Sequence, residues 1–483
     1  MNRLNGSVIM EAKEALDKIL MPKSVAVIGA STDPFKWGNM LLAAVQKGGF
    51  VGGLHPVNPR AEEILGLKCY PTVRDIPGEV DMALVVVPAR VVPSVFEDLV
   101  AKEVKGAVVI TSGFSETGEE GRKAVEQIRE TAAGRLRFIG PNCMGVTSSP
   151  GRLSALMIPF LHEGGDVAFI SQSGGYGLQL YLRASALGIG IGKFVSSGNE
   201  SDLKGWEYLK YFGEDPQTGL VCMYIEGLKD GRRWYEEAKK ITPKKPIVVI
   251  KVGVTEAGSK AAASHTGSIA GSDDVYDAAF RQAGVVRARD AGEMFDYVKG
   301  LLYCDLPEGP NIGVISNSGG VAVETADRLI QNGMKVLAFS DEVQQEVLKV
   351  IPAFGNPRNP VDLTATLDMN SFLNVPDIVL RQPYIHGMIT IGLGTAILKT
   401  MFPDVAPEDL KGIYEWLNGQ LVNTYKKYDK PVIVIDPAAD VEPESAKMME
   451  AQRVPVYITP ERAADVMGIL YRRKLYLEKV KGN

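Results

Sequence analysis

Residues 166–190 read DVAFISQSGGYGLQLYLRASALGIG, and residues 311–335 read NIGVISNSGGVAVETADRLIQNGMK. Each begins with a short apolar run rich in β-branched residues. A tight S-[QN]-S-G-G turn follows, then a stretch with helical spacing, then a glycine before the next strand. This repeat constrains the fold more than any other feature of the chain. A strand running straight into a helix is the unit of an α/β layer, and its return at matching positions predicts two related α/β domains.

The remaining strand signals fit the same plan. SVAVIG (24–29), FVGGLHPVNP (50–59), DMALVVVP (81–88), GAVVITSG (106–113) and LRFIGPN (136–142) alternate with helix-like NMLLAAVQKG and SVFEDLVAKE. They predict a first doubly wound domain over 1–150, Rossmann-like, with binding loops at the strand carboxyl ends. DVAFIS, KFVSSG, LVCMYIEG and PIVVIKVG then predict a second domain over 151–305. The hinge-like LPEGPN (306–311) precedes a third over 306–483, with strands at NIGVIS, KVLAFS, HGMITIGLG, PVIVID and VPVYIT. At 52.2 kDa, two to four domains are expected on size alone.

Charge and cysteine usage narrow the function classes. A net charge of −5 disfavours nucleic acid as main partner, and four scattered cysteines have neither metal spacing nor a disulfide framework. No run of 18 apolar residues exists and the N-terminus is unlike a signal peptide, so the expectation is a cytoplasmic protein without a membrane partner.

Several loops could carry chemistry. Gly29, Ala30 and Ser31 follow the first strand, but G-x-G-x-x-G is missing. The second strand ends in HPVNP, with Arg60 where a nicotinamide site would place an acid, so a phosphorylated ribose fits better; Lys36 and Lys47 add phosphate contacts. Pro88, then Ser112, Gly113 and Phe114, then Asn142 and Cys143 end the next three strands, a set between which a long nucleotide thioester carrier would slide. A generic turn in a structural domain remains the alternative, and Cys143 reads as a lining residue. Ser173, Gly174 and Gly175 open a helix whose free amides and hydroxyls suit a tetrahedral anion, or else simply cap it.

His265 lies in GSKAAASHTGSIAGSDD, among small residues that let a bulky anion reach the imidazole. A surface-loop histidine is the competing reading. Glu226 ends LVCMYIE, where a carboxylate can orient an imidazole and support its phosphorylated form. His162 and His386 read as structural, His55 as ambiguous, and no metal site is legible.

Taken together, ISQSGG, YIEG and SKAAASHTGS resemble the alpha subunit of ADP-forming acyl-CoA (acetate–CoA) synthetases, in the succinyl-CoA synthetase superfamily, over nearly the whole chain. The resemblance implies a Rossmann-like CoA-binding domain followed by two related flavodoxin-like domains. It implies phosphorylation of His265, orientation by Glu226, and phosphate at Ser173, Gly174 and Gly175. Coenzyme A would lie along Gly29–Ser31, Lys36, Asn58-Pro59-Arg60, Val87-Pro88, Ser112–Phe114 and Asn142. The implied reaction converts acyl-CoA, ADP and phosphate to acid, ATP and CoA through acyl phosphate and phosphohistidine, with Mg²⁺ at the nucleotide. No nucleotide-grasp half is recognisable, so a beta subunit is expected to supply it in an α2β2 heterotetramer. A succinate-type alpha subunit would lack the third domain; an acyl-CoA sensor or scaffold would need neither His265 nor Glu226; a nicotinamide oxidoreductase would need the missing fingerprint.

Overall fold

A computed structural model describes the chain except residues 1, 2, 5, 6, 9, 159–163, 259–271, 365, 367, 393, 395, 397, 400, 401 and 483. His162 and His265 therefore lie outside the described residues. The chain forms two compact units, Met1–Met294 and Phe295–Asn483.

The first unit is built on two large sheets, of five and seven strands. Strands β1 (Ser24–Ile28), β2 (Gly53–Val57), β3 (Met82–Val85), β4 (Gly106–Val109) and β5 (Arg137–Ile139) are all parallel, in the order β2-β1-β3-β4-β5. Runs such as VAVI and MALV are buried throughout, because helices cover both faces of a parallel sheet. The order reverses between β1 and β3, so their carboxyl ends open a crevice.

The second sheet starts with an antiparallel pair, β6 (Gly145–Ser148) and β7 (Leu153–Leu156). Strands β8 (Val167–Ser171), β9 (Ile191–Ser196), β10 (Leu220–Ile225), β11 (Ile247–Lys251) and β12 (Val286–Ala288) complete the order β7-β6-β9-β8-β10-β11-β12. The expected domain limit at 150 thus falls inside the β6–β7 turn. One apolar cluster runs through both sheets, from Leu16 and Val27 to Ile170 and Phe212. Buried Arg137 on β5 reaches Asp202 and Glu207, both at 2.9 Å, and so ties the first sheet to the loop and helix after β9.

The second unit repeats the parallel core: β13 (Ile312–Ser316), β14 (Val361–Asp362), β15 (Gly387–Ile391), β16 (Val432–Ile435) and β17 (Val456–Tyr457), in the order β14-β13-β15-β16-β17. The strand expected at KVLAFS (335–340) does not form; Lys335 makes only an isolated bridge with Asn311. The carboxamide of Asn359 takes its place beside β13. Its Oδ1 accepts from Val314 N at 2.9 Å, and its Nδ2 donates to Ile312 O at 2.9 Å and Leu337 O at 3.0 Å. Ile312 N keeps a bond to Lys335 O, but Ile312 O and Val314 N, which a longer strand there would have paired, are satisfied by a side chain.

No described helix is long and apolar enough to cross a membrane.

Candidate active site

Loops from both sheets of the first unit meet around a cavity of about 430 Å³. The crevice side supplies Val87, Pro88 and Ser112, with Asn142 from the turn after β5. The opposite wall carries Ser173, Gly174, Gly175 and Glu226. Five sequence-distant segments thus place eight of the expected site residues around one space.

The remaining CoA candidates are not among the residues that line this cavity. Gly29 has φ of 92°, and a Cβ there would lie 2.5 Å from Val86 O, so only glycine lets β1 and β3 close up. Asn58 is engaged within the protein. Its Nδ2 donates to Ala30 O at 2.8 Å and its Oδ1 accepts from Arg60 N at 2.9 Å, which locks the turn through Pro59 onto the loop at Ser31. Lys36 and Arg60 are exposed and do not line the cavity.

Phe114, expected at the ligand edge, is instead fully buried in the first core. The amides of Gly113 and Phe114 donate to Glu116 Oε1, at 2.7 and 3.1 Å, and Glu116 Oε2 accepts from Asn199 Nδ2 at 2.6 Å. Partial burial works against this carboxylate, but these donors outweigh it and hold it below the usual range. Sequence reasoning passed over Glu116 because its partner Asn199 lies 83 positions away. Cys143 is buried, its thiol pushed up to about 12 by loss of solvent, with Sγ donating to Val109 O, which disfavours the thiolate a nucleophile needs.

The anion wall comes from the SQSGG turn. Ser171 Oγ donates to Ser173 O at 2.7 Å and fixes the bend. Ser173 then precedes the helix Gly174–Ala186 without a side-chain cap, which leaves the first-turn amides open toward the cavity they line. A Cβ on Gly174 would strike Met144 Cγ at 2.6 Å, whereas Gly175 faces open space.

Glu226, buried, follows β10. Its backbone turn is held from two sides. Gln172 Oε1 accepts from Glu226 N at 2.6 Å and Gly227 N at 3.1 Å, and Tyr276 OH accepts from Leu228 N at 3.1 Å. Lys251, at the end of β11, stacks over the Tyr276 ring at 4.8 Å; burial lowers its pKa, opposed by Asp273 and Glu226. The segment bearing His265 joins these two elements, β11 and the helix Asp273–Ala283.

His55 makes an edge contact with Tyr70, and His386 Nδ1 accepts from Asn311 N. Among the described residues no group of three or more potential metal ligands lies together. A larger cleft of about 990 Å³ in the same unit is lined by charges such as Arg137, Asp202 and Glu207 that already pair with one another.

Residues 23–149 match the CoA binding domain, residues 164–301 the succinyl-CoA ligase like flavodoxin domain, and residues 312–478 the ligase-CoA domain. The alpha subunit of ADP-forming acetate–CoA ligase I of Pyrococcus furiosus is 38% identical over 97% of this chain and 99% of its own. This chain belongs to the ADP-forming acetate–CoA ligase family. The alpha subunit of ligase II of the same organism is 36% identical over 93% of this chain and 96% of its own. Among solved structures, acetyl-coenzyme A synthetase 1 of Ca. Korarchaeum cryptofilum, in complex with phosphate and ADP, superposes with a TM-score of 0.86 at 35% identity, covering 97% of this chain and 99% of that one. The fold that the resemblance implied, a CoA-binding domain followed by two α/β domains of the ligase type, is the one observed.

Proposed function

We propose that the chain is the alpha subunit of an ADP-forming acyl-CoA ligase that works through phosphohistidine at His265. The observation that carries this reading is the shared cavity, in which the CoA-side residues Val87, Pro88, Ser112 and Asn142 face Ser173–Gly175 and Glu226. A thioester entering along the crevice would present its carbonyl to a phosphate held on the helix amides.

A phosphate oxygen attacks the thioester carbon; the C–S bond breaks, and the CoA thiolate leaves and takes up a proton. The helix amides offset charge on the acyl phosphate formed. An imidazole nitrogen of His265 then attacks phosphorus, the P–O bond to the acyl group breaks, and the carboxylate departs. Glu226 supports the resulting imidazolium-like ring. ADP finally takes the phosphoryl group as the N–P bond breaks. Mg²⁺ would supply charge neutralisation at the nucleotide. We assign nucleotide and metal to a separate beta subunit, in keeping with relatives named as alpha subunits, in an α2β2 assembly. The CoA domain spans 1–150, and the ligase domains 151–305 and 306–483.

Intact-mass and phosphosite analysis after incubation with acetyl phosphate and Mg²⁺ tests the reading, with His265→Ala as control. An acid-labile adduct that the control loses is the expected result. No adduct with or without the beta subunit would overturn it in favour of a CoA-binding scaffold.

A further inference from the structure

We infer that Gln172 is a positioning residue of this site, whose carboxamide splints the Glu226–Gly227 turn to the buried carboxylate of Glu200. This rests on the function proposed for Glu226. Every hydrogen-bonding position of the carboxamide is used. Oε1 accepts from two consecutive amides, Glu226 N and Gly227 N. Nε2 donates to Gly227 O at 2.8 Å and to Glu200 Oε1 at 3.1 Å. A primary amide is the one neutral side chain that can accept from two N–H groups while donating to a carbonyl and a carboxylate.

Glu200 is anchored in turn. Ser197 Oγ donates to its Oε1 at 2.9 Å and Gly205 N to its Oε2 at 3.0 Å, and its backbone sits at φ of 46°. Lys204 and Lys229 are the cations that bear on it, and Tyr208 lies near enough to feel its charge. The chain Glu200–Gln172–Glu226 therefore connects the loops after β9, β8 and β10, the three strands whose ends form this wall of the cavity.

The molecule contains its own control. The SNSGG turn after β13 has the same bend, with Ser316 Oγ donating to Ser318 O at 2.9 Å and an equally uncapped helix. There the middle residue is Asn317, one methylene shorter. It makes no such bond among the described residues, and the register of the two sheets sets Met223 against Thr390, so that the sequence has the apolar Leu393 where it has Glu226 after β10. The turn folds without the splint, so the splint serves what it holds.

The test compares wild type, Gln172→Glu and Gln172→Glu/Glu200→Gln in the alpha–beta complex. Readouts are single-turnover phosphorylation of His265 by acetyl phosphate against pH, Kd for CoA, Tm, and amide exchange at 226–228. Gln172→Glu sets two carboxylates side by side, so the rate should fall about tenfold at pH 8 and recover toward acid pH as the pair takes up a proton. Kd for CoA should stay within about twofold. Glu200→Gln in the same chain restores a donor and should return both the rate and the wild-type pH profile. An unchanged rate and unchanged exchange in a folded Gln172→Glu protein would overturn the inference, as would a loss that the double variant does not restore at normal Tm. If the single variant fails to fold, Gln172→Asn, which copies the third sheet's turn, carries the same comparison. Absence of the adduct in wild type would instead sink the proposed function, and exchange at 226–228 would still decide the splint.

Discussion

The two serine–glycine turns of this protein share a backbone and differ in what surrounds it. After β8 and after β13 a serine hydroxyl bends the chain back, and a helix of 13 residues starts without a side-chain cap. Even the neighbouring contact repeats: Ser197 N donates to Ser171 O, and Leu363 N to Ser316 O, at 2.8 and 2.7 Å. The strand ends diverge. In the register set by the turn serines the sequence has Leu393 where it has Glu226, and Lys251 of IVVIK corresponds to Asp436, which follows VIVI. The turn is a property of the fold; the charges at its side are set strand by strand. One backbone device can thus be kept twice while only the copy beside Glu226 and Lys251 gains a carboxylate–ammonium frame.

The largest effect expected from breaking this contrast is at Glu226. Glu226→Gln keeps the shape but removes the charge, and should slow His265 phosphorylation by about 10²-fold or more while CoA still binds. Single-turnover mass spectrometry reads the rate, and a loss below threefold would erase the distinction between the two turns.

Next comes the tie between the CoA side and the second sheet. Glu116→Gln loses the charge that gathers Gly113 N, Phe114 N and Asn199 Nδ2, and should weaken CoA binding about three- to tenfold by calorimetry. Because the carboxylate is held below its unfolded value, its contribution to stability is present above the ordinary glutamate range and lost as pH falls through the folded value. The acid limb of stability should therefore flatten in the variant.

Lys251 and Asp436 should give opposite pH slopes from matching positions. Burial lowers Lys251, so the native state binds fewer protons than the unfolded one below the ordinary lysine value, and stability rises with pH across that window. Burial raises Asp436, only partly offset by Ala438 N, so stability falls as pH rises from the ordinary aspartate value through the folded one. Lys251→Met and Asp436→Asn should each remove its own slope in denaturation series across pH. Slopes of the same sign would refute the reading.

The smallest effects concern the glycines. A Cβ meets nothing within 4 Å at Gly175 and only Ser318 Oγ at 4.0 Å at Gly320. Alanine at either position should raise stability by about 0.5 kcal/mol, seen as a small rise in Tm. Gly175→Ala should also slow phosphorylation, because Gly175 lines the cavity.

Much of this was legible in the chain. The strand–turn–helix repeat forecast two related sheets, and Ser173–Gly175 and Glu226 do share a cavity with four CoA-side residues. KVLAFS was misread because β-branched composition cannot reveal that Asn359, more than twenty residues on, would occupy β13's edge. Phe114 was misread because position at a strand end does not say whether a ring turns outward or into the core. The hairpin β6–β7 escaped notice since GVTS and LSAL are short and alternate weakly.

By itself the sequence determined the period of the elements, the glycines at the turns and the residue types at the strand ends. These are local properties, set by sterics and apolar spacing over a few residues. Only the tertiary structure decided that Gln172 reaches Glu226 and Glu200, that Glu116 ties Gly113 to Asn199, and that Arg137 joins two sheets. Those contacts span from 3 to 83 positions of sequence, and hydrogen bonds with a reach near 3 Å form between such partners only once the strand order has brought their ends together.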